Sequence, residues 1–343
     1  MIPVRNVYYM LAYAFQTLRE LGCRELDAEA FSNTAELLAA ILCRSVSVQI
    51  KRGLACRYAP RQEALSMPRG KVDLAGSLKA RTLPKRQLLC SYDELSPDIY
   101  ANRIIKTTLT LLLRADISAT RKRALRRLLL HFDGVQPVSG AIQWELAVCR
   151  GSAAYRTILA VCRFAVEGLL QSTAGGPIRM MDYADDQSMA RLYEKFLLAY
   201  FRREHPELEV RSAQILWQVT DGYRQLLPTM QSDIVLFSHK TGKILIIDAK
   251  YYTHTLQTHG RYLNKTIHSA NLYQIFTYVK NWAAGPGETV SGMLLYARTD
   301  EPVQPDHDYQ MNGNQISVKT VDLSCPFSGI AAQLDAIADR VAK

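Results

Sequence analysis

Two neighbouring segments constrain this chain most: Ile234-Val235-Leu236-Phe237, entered through Asp233, and Lys243-Ile244-Leu245-Ile246-Ile247, which runs out into Asp248-Ala249-Lys250-Tyr251. Branched and aromatic residues dominate both, so each reads as a β-strand, the second more strongly. Between them Ser238 to Gly242, enclosing His239, Lys240 and Thr241, has the length and polarity of a hairpin loop. An antiparallel pair joined there carries Asp233 and Asp248 to a common region. Alternation along the second strand sends Asp248 and Lys250 to one face and Ala249 to the other. An apolar run ending in Asp-Ala-Lys holds charge at the end of a buried strand, which is costly unless the charge is paired or binds a metal.

Phosphodiester hydrolysis uses residues of this kind. Mg²⁺ prefers oxygen and is usually held by one or two carboxylates together with water and substrate phosphate, so Asp233 and Asp248 are candidate ligands. Such an ion polarises the scissile phosphate and acidifies water, while Lys250 orients that water or offsets developing negative charge. An ion pair closing a hairpin is the competing reading, and the triplet alone leaves the two balanced. Two helices add weight. The amphipathic stretch Ser188 to Phe201 carries Leu192, Phe196 and Ala199 near one stripe, and its Glu194 is a candidate third carboxylate and metal ligand if the helix packs beside the hairpin. A solvated glutamate is the blander alternative. After the hairpin, Asn271 to Val279 reads as a helix on which Gln274 and Tyr278 share a face. They are candidates to hydrogen-bond phosphate or water, or else form an ordinary helix border.

Asp233, Asp248-Ala249-Lys250 and the Gln274-x-x-x-Tyr278 helix resemble the PD-(D/E)XK nuclease pattern in its RecB-like branch, with Glu194 in the place of the core-helix acid. Ser232 stands before the first acid where the pattern has proline. The segments Ile2 to Ala14, Gly70-Lys71-Val72-Asp73, Ala101-Asn102-Arg103-Ile104-Ile105-Lys106 and Asp248 to Tyr252 resemble the McrC subunit of McrBC-type restriction systems. The resemblance spreads from residue 2 to beyond residue 250. It implies a Mg²⁺-dependent endonuclease subunit for double-stranded DNA, recruited by an McrB-like AAA+ GTPase ring whose GTP hydrolysis it stimulates. It further implies that this chain binds no nucleotide itself, and it admits a dimer of such subunits in the cleaving assembly. The competing function is a non-cutting adaptor or GTPase activator with a degenerate nuclease fold, and a third is a stand-alone RNA-processing enzyme.

With 343 residues and 48% apolar content the chain has room for two domains of ordinary size. Ser172-Thr173-Ala174-Gly175-Gly176-Pro177 is the best linker candidate, which sets the expected domains at 1–172 and 173–343. The net charge of +10 is uneven. Residues 1–172 hold 25 Lys and Arg against 14 Asp and Glu, whereas 173–343 hold 17 against 18. The excess suits a polyanion or an acidic protein as partner of the first half. Its densest cluster, Arg121-Lys122-Arg123-Ala124-Leu125-Arg126-Arg127, reads as a solvated helix face, a nucleic-acid contact or a contact with the ring.

The expected layout is α+β in the amino-terminal, partner-binding part. It has helices over Val7–Leu21 and Ala35–Ser47, strand-like pieces around Arg57, Val72 and Leu88, then helices over Ile99–Arg114, Thr120–His131 and Tyr155–Leu170. Strands projecting from helical supports suit a part that enters another protein's pore. An α/β nuclease domain with a mixed sheet follows. The seven cysteines, at 23, 43, 56, 90, 149, 162 and 325, form no C-x-x-C pair and read as reduced, mostly buried thiols. His254, His259 and His268 read as loop residues, and no zinc spacing occurs. No apolar run has the length of a membrane span, and Arg5 with the early tyrosines does not make a secretory signal, so the cytoplasm is the expected compartment.

Overall fold

The computed structural model describes residues 2–15, 18, 21, 23, 31, 33–144, 153–170, 186–258 and 265–343. The expected linker at 172–177, Cys149 and His259 lie outside these residues. The chain divides into two compact units, one made of 20–23 and 38–166, the other of 1–19, 24–37 and 167–343. Helix α1 (Val4–Ala14) thus belongs to the unit that carries Asp248. Its Asn6 amide donates to the carbonyls of Leu323 and Cys325, each at 2.8 Å.

The first unit takes up α2 (Thr34–Arg52) from Leu38 onward, and α2 leads to strands β1 (Arg57–Leu65) and β2 (Lys71–Asp73), the short helix α3 (Leu74–Lys79) and strand β3 (Leu88–Ser96). The strands form an antiparallel sheet in the order β1-β3-β2. Helix α4 (Tyr100–Leu112) buries Ala101, Ile104, Ile105, Thr108, Leu109 and Leu112, the periodicity of one helix face. Helices α5 (Ala119–Leu129) and α6 (Ala153–Leu170) follow. Asn102, fully buried, donates to the carbonyls of Ala55 and Pro97 at 2.9 and 2.7 Å, so one side chain gathers the entry to β1 and the exit from β3. Tyr155 donates to Asn102 Oδ1 at 2.8 Å and receives the Ala55 N–H at 2.8 Å. Arg103 pairs with Asp98 through both its Nε and Nη2. Lys106 caps the carbonyls of Phe132 and Val135, and Asp73 caps α3 by accepting the Gly76 N–H. These residues of the amino-terminal segments are structural ties. Tyr58 and Leu95 on the sheet, Met67 in the turn between β1 and β2, and Leu74 and Leu78 on α3, by contrast, remain exposed.

The second unit is built on α7 (Asp186–Glu204), strands β4 (Glu209–Arg211), β5 (Gln214–Ile215), β6 (Met230–Gln231), β7 (Ile234–Ser238), β8 (Lys243–Lys250), β9 (Leu256–Thr258) and β10 (Lys265–Ile267), then α8 (Ser269–Asn281), β11 (Thr289–Ala297), β12 (His307–Met311), β13 (Asn314–Val321) and α9 (Phe327–Ala342). Six strands make one sheet in the order β12-β13-β11-β8-β7-β4. Strand β11 is parallel to β8 and β13, and the other pairings are antiparallel. The sheet is therefore mixed, as expected, and contains the expected hairpin β7–β8, with β8 central. Helices cover both faces of β8, which is why its sequence reads as a continuous apolar run. Helix α8 joins the parallel strands β8 and β11 and packs on β8, β11 and β13, while α7 and α9 also pack against β8 and α1 lies on α7. Val235, Ile244, Ile246, Leu294, Ile316 and Val318 share a core with Ile275, Tyr278 and Val279 of α8. The even-numbered side chains of β8 therefore face α8, and Asp248 and Lys250 belong to that series.

The sequence reading omits β12, whose polar residues His307, Asp308 and Gln310 give no apolar alternation. It is an edge strand held antiparallel to β13. No helix among the described residues is long and apolar enough to cross a membrane. The thiols of Cys23, Cys43, Cys90 and Cys162 are buried, and Cys56 is exposed.

Helix α8 approaches the sheet closely over Gly292. A Cβ there would lie 2.8 Å from Ile275 Cγ1 and 2.8 Å from Val279 Cγ2. Gly292→Val is expected to lift α8 and cost about 1–3 kcal/mol through overpacking. Chemical denaturation of the two proteins checks this, with equal midpoints as the contrary result.

Candidate active site

The site sits where β7 and β8 meet the face covered by α8. Ile234 pairs with Ile247, so Asp233, the residue before β7, comes opposite Asp248. The Asp233 carboxylate is fixed by the Ala249 N–H, which donates to its Oδ2 at 2.8 Å. Asp248 is 1% exposed in its side chain, and Lys250 Nζ stands 2.7 Å from its Oδ2. The ammonium is thus a charged hydrogen-bond partner for this buried carboxylate. From Lys250 a polar chain runs along α8. Lys250 Nζ donates to Gln274 Oε1 at 3.2 Å, Gln274 Nε2 to Tyr278 Oη at 2.8 Å, and Tyr278 Oη to the Gln231 carbonyl at 3.1 Å. Gln274 and Tyr278 thus meet the strand-end charges through Lys250.

Burial governs the electrostatics. It pushes the Asp248 carboxyl up to about 6, with the Asp233 charge adding to the rise and Lys250 opposing it. Asp233 is raised by burial too, against the Ala249 N–H and Lys250. Burial alone would lower the Lys250 ammonium, but Asp248 outweighs it and the net displacement is upward. Glu194, half-buried on α7, is pushed up to about 7 by burial and then by Asp233, with Asp248 adding and Lys250 opposing. The structure therefore gathers Asp233, Asp248, Lys250, Gln274 and Tyr278, and brings Glu194 within their electrostatic reach.

Among the described residues no three His, Cys, Asp or Glu side chains form a group able to hold a metal ion. Asp233 and Asp248 instead make a buried two-carboxylate site beside the Lys250 ammonium. This fits a hard divalent cation such as Mg²⁺, whose remaining ligands are water and phosphate. His254 is exposed, and His268 lies beside Tyr252 with ring centroids 5.3 Å apart. Neither joins the carboxylates in such a group. Asn271, one turn before Gln274 on α8, is buried and bonded to Tyr252 and Tyr296. The sequence reading passed over these three. Their signal was the spacing of Asn271 to Gln274 and Tyr278, which continues one helix stripe.

Removing the Glu194 charge gives a stability test. Its folded pKa, about 7, lies above the ordinary carboxylate value of 4.5, so its ionisation opposes folding progressively between those values and fully above about 7. In metal-free buffer Glu194→Gln is expected to melt with the parent near pH 5 and above it at pH 8. Thermal melts at both pH values check this, and a lower melting temperature for the variant at pH 8 would contradict it.

Comparison with known proteins adds three findings. The McrBC 5-methylcytosine restriction system component family matches residues 4–297. The Type IV methyl-directed restriction enzyme EcoKMcrBC of Escherichia coli (strain K12) is 32% identical over 351 residues, covering 100% of this chain and 99% of the relative. Among solved structures, the Thermococcus gammatolerans half-complex of McrB AAA+ hexamers with bound McrC is similar in fold. Its TM-score is 0.51 at 18% identity, over 98% of this chain and 76% of that one.

Proposed function

The chain belongs to the family of McrBC 5-methylcytosine restriction system components, and on that premise we propose that it is the DNA-cutting subunit of such a system, working with an McrB-like AAA+ GTPase. The observation that carries this reading is the buried pair Asp233 and Asp248 at adjacent strand ends, with Lys250 2.7 Å from Asp248. The succession α7, β7–β8 hairpin with Asp-x-Lys, then α8 supports a PD-(D/E)XK nuclease core. The related solved structure, in which McrC is bound to McrB hexamers, supports the partner.

In this reading Asp233 and Asp248 hold Mg²⁺. When bound, the ion supplies charge to polarise the scissile phosphate and to activate water. Lys250, steadied by Gln274, donates to a phosphate oxygen and offsets the charge that grows there as water attacks phosphorus and the bridging P–O bond breaks. Glu194 has a pKa near neutrality, which suits it to accept the proton that water releases. Tyr278 anchors Gln274 to the backbone of Gln231. A DNA substrate is in keeping with a cytoplasmic protein. The exposed apolar residues of β1, β3 and α3 are suited to the AAA+ partner.

The test uses the full chain with its McrB-type partner, GTP, Mg²⁺ and DNA bearing 5-methylcytosine. Asp248→Ala is expected to lower cleavage at least about 100-fold while stimulation of GTP hydrolysis stays at the parent's level. Undiminished cutting by the variant would overturn the assignment. A parent complex that stimulates GTP hydrolysis without cutting would leave the adaptor reading in its place.

A further inference from the structure

Three side chains outside the set above, Asn271, Tyr252 and Tyr296, are bonded together next to the strand end that carries Lys250. Tyr296, fully buried, is the register partner of Lys250 on the neighbouring strand β11. Tyr252 follows Lys250 by two residues and packs against the same core cluster. Both hydroxyls meet one amide: Asn271 Nδ2 donates to Tyr296 Oη at 3.0 Å, and Asn271 Oδ1 accepts from Tyr252 Oη at 3.2 Å. Asn271 lies three residues before Gln274 and seven before Tyr278, so the three form one stripe of α8 facing the sheet.

We propose that Asn271 is a positioning residue for the Lys250 ammonium, acting through the hydroxyls of Tyr252 and Tyr296; this rests on the cleavage reading above. The amide is suited to the place because it has a donor and an acceptor on one short planar group. An apolar side chain there leaves both tyrosine hydroxyls without their partner in a buried seam, at a cost that disfavours this placement of the helix. With the amide in place, the first turn of α8 is tied to β11 and to the exit of β8. Gln274 Oε1, one turn later, is thereby held where it receives Lys250 Nζ. The ammonium then has two fixed directions, towards Asp248 and towards Gln274, and its third points to substrate. Without the tie, Lys250 keeps Asp248 but loses the second direction, so the chemical step slows while DNA binding does not.

The experiment is a cleavage assay with the full chain, its McrB-type partner, GTP, Mg²⁺ and DNA bearing 5-methylcytosine. Asn271→Ala is expected to lower kcat about 10–100-fold, the scale of a small misplacement of a reacting group, with KM for DNA unchanged. Tyr252→Phe combined with Tyr296→Phe is expected to reproduce that loss, and adding Asn271→Ala to the pair to lower kcat no further. Should Asn271→Ala not fold, Tyr252→Phe alone is expected to give a smaller fall in kcat at unchanged KM. Parent-like kcat in the soluble variants, a loss confined to KM, or losses that add fully would each overturn the proposal. A parent that does not cut fails the cleavage reading instead, whereas a cutting parent with an indifferent Asn271→Ala fails this inference alone.

Discussion

A carboxylate held almost wholly out of water at the end of a central strand is the constraint on which this structure turns. Asp248 has strands on both sides, α8 above it and a second carboxylate opposite. Withdrawing such a group from water costs several kcal/mol even after relaxation. Lys250 offsets part of that cost, and burial still displaces Asp248, Asp233 and Glu194 upward. A sheet selected for stability alone would have ended β8 in an apolar residue. Incompletely compensated negative charge at one place is a property of sites that bind a cation.

The surroundings are arranged to maintain that charge. Gly292 lets α8 lie close on the sheet, the stripe Asn271, Gln274 and Tyr278 lines the closed interface, and the chain of hydrogen bonds ends on a backbone carbonyl. Apolar packing supplies the rigidity and the polar seam supplies direction. The other unit uses the same device for another purpose. Asn102 and Tyr155 there pin the root of the β1–β3 pair, leaving Tyr58, Met67 and Leu95 exposed.

Much of the central architecture was legible because it follows from local chemistry. The β-branched runs fixed β7 and β8, alternation put Asp248 and Lys250 on one face, and spacing put Gln274 and Tyr278 together. What stayed hidden depends on distant partners. Asn6, Asn102 and Lys106 stand in recognisable segments, yet each binds backbone carbonyls, Asn6 more than three hundred residues away, and no periodicity announces such a bond. The attachment of α1 to the Asp248 unit was hidden for the same reason. Asn271 was hidden because an asparagine in a helix reads as a surface residue until its two tyrosines are located. Glu194 was named from its helix, and only the fold brings it within electrostatic reach of Asp233.

The claim that Asp233 and Asp248 are retained as a divalent-cation site is tested most directly by calorimetric titration of the metal-free chain with Mn²⁺, a spectroscopically convenient substitute for Mg²⁺. The account predicts saturable binding of one ion per chain that is lost in both Asp233→Asn and Asp248→Asn, with each variant folded by circular dichroism. Undiminished binding in folded Asp248→Asn would contradict it.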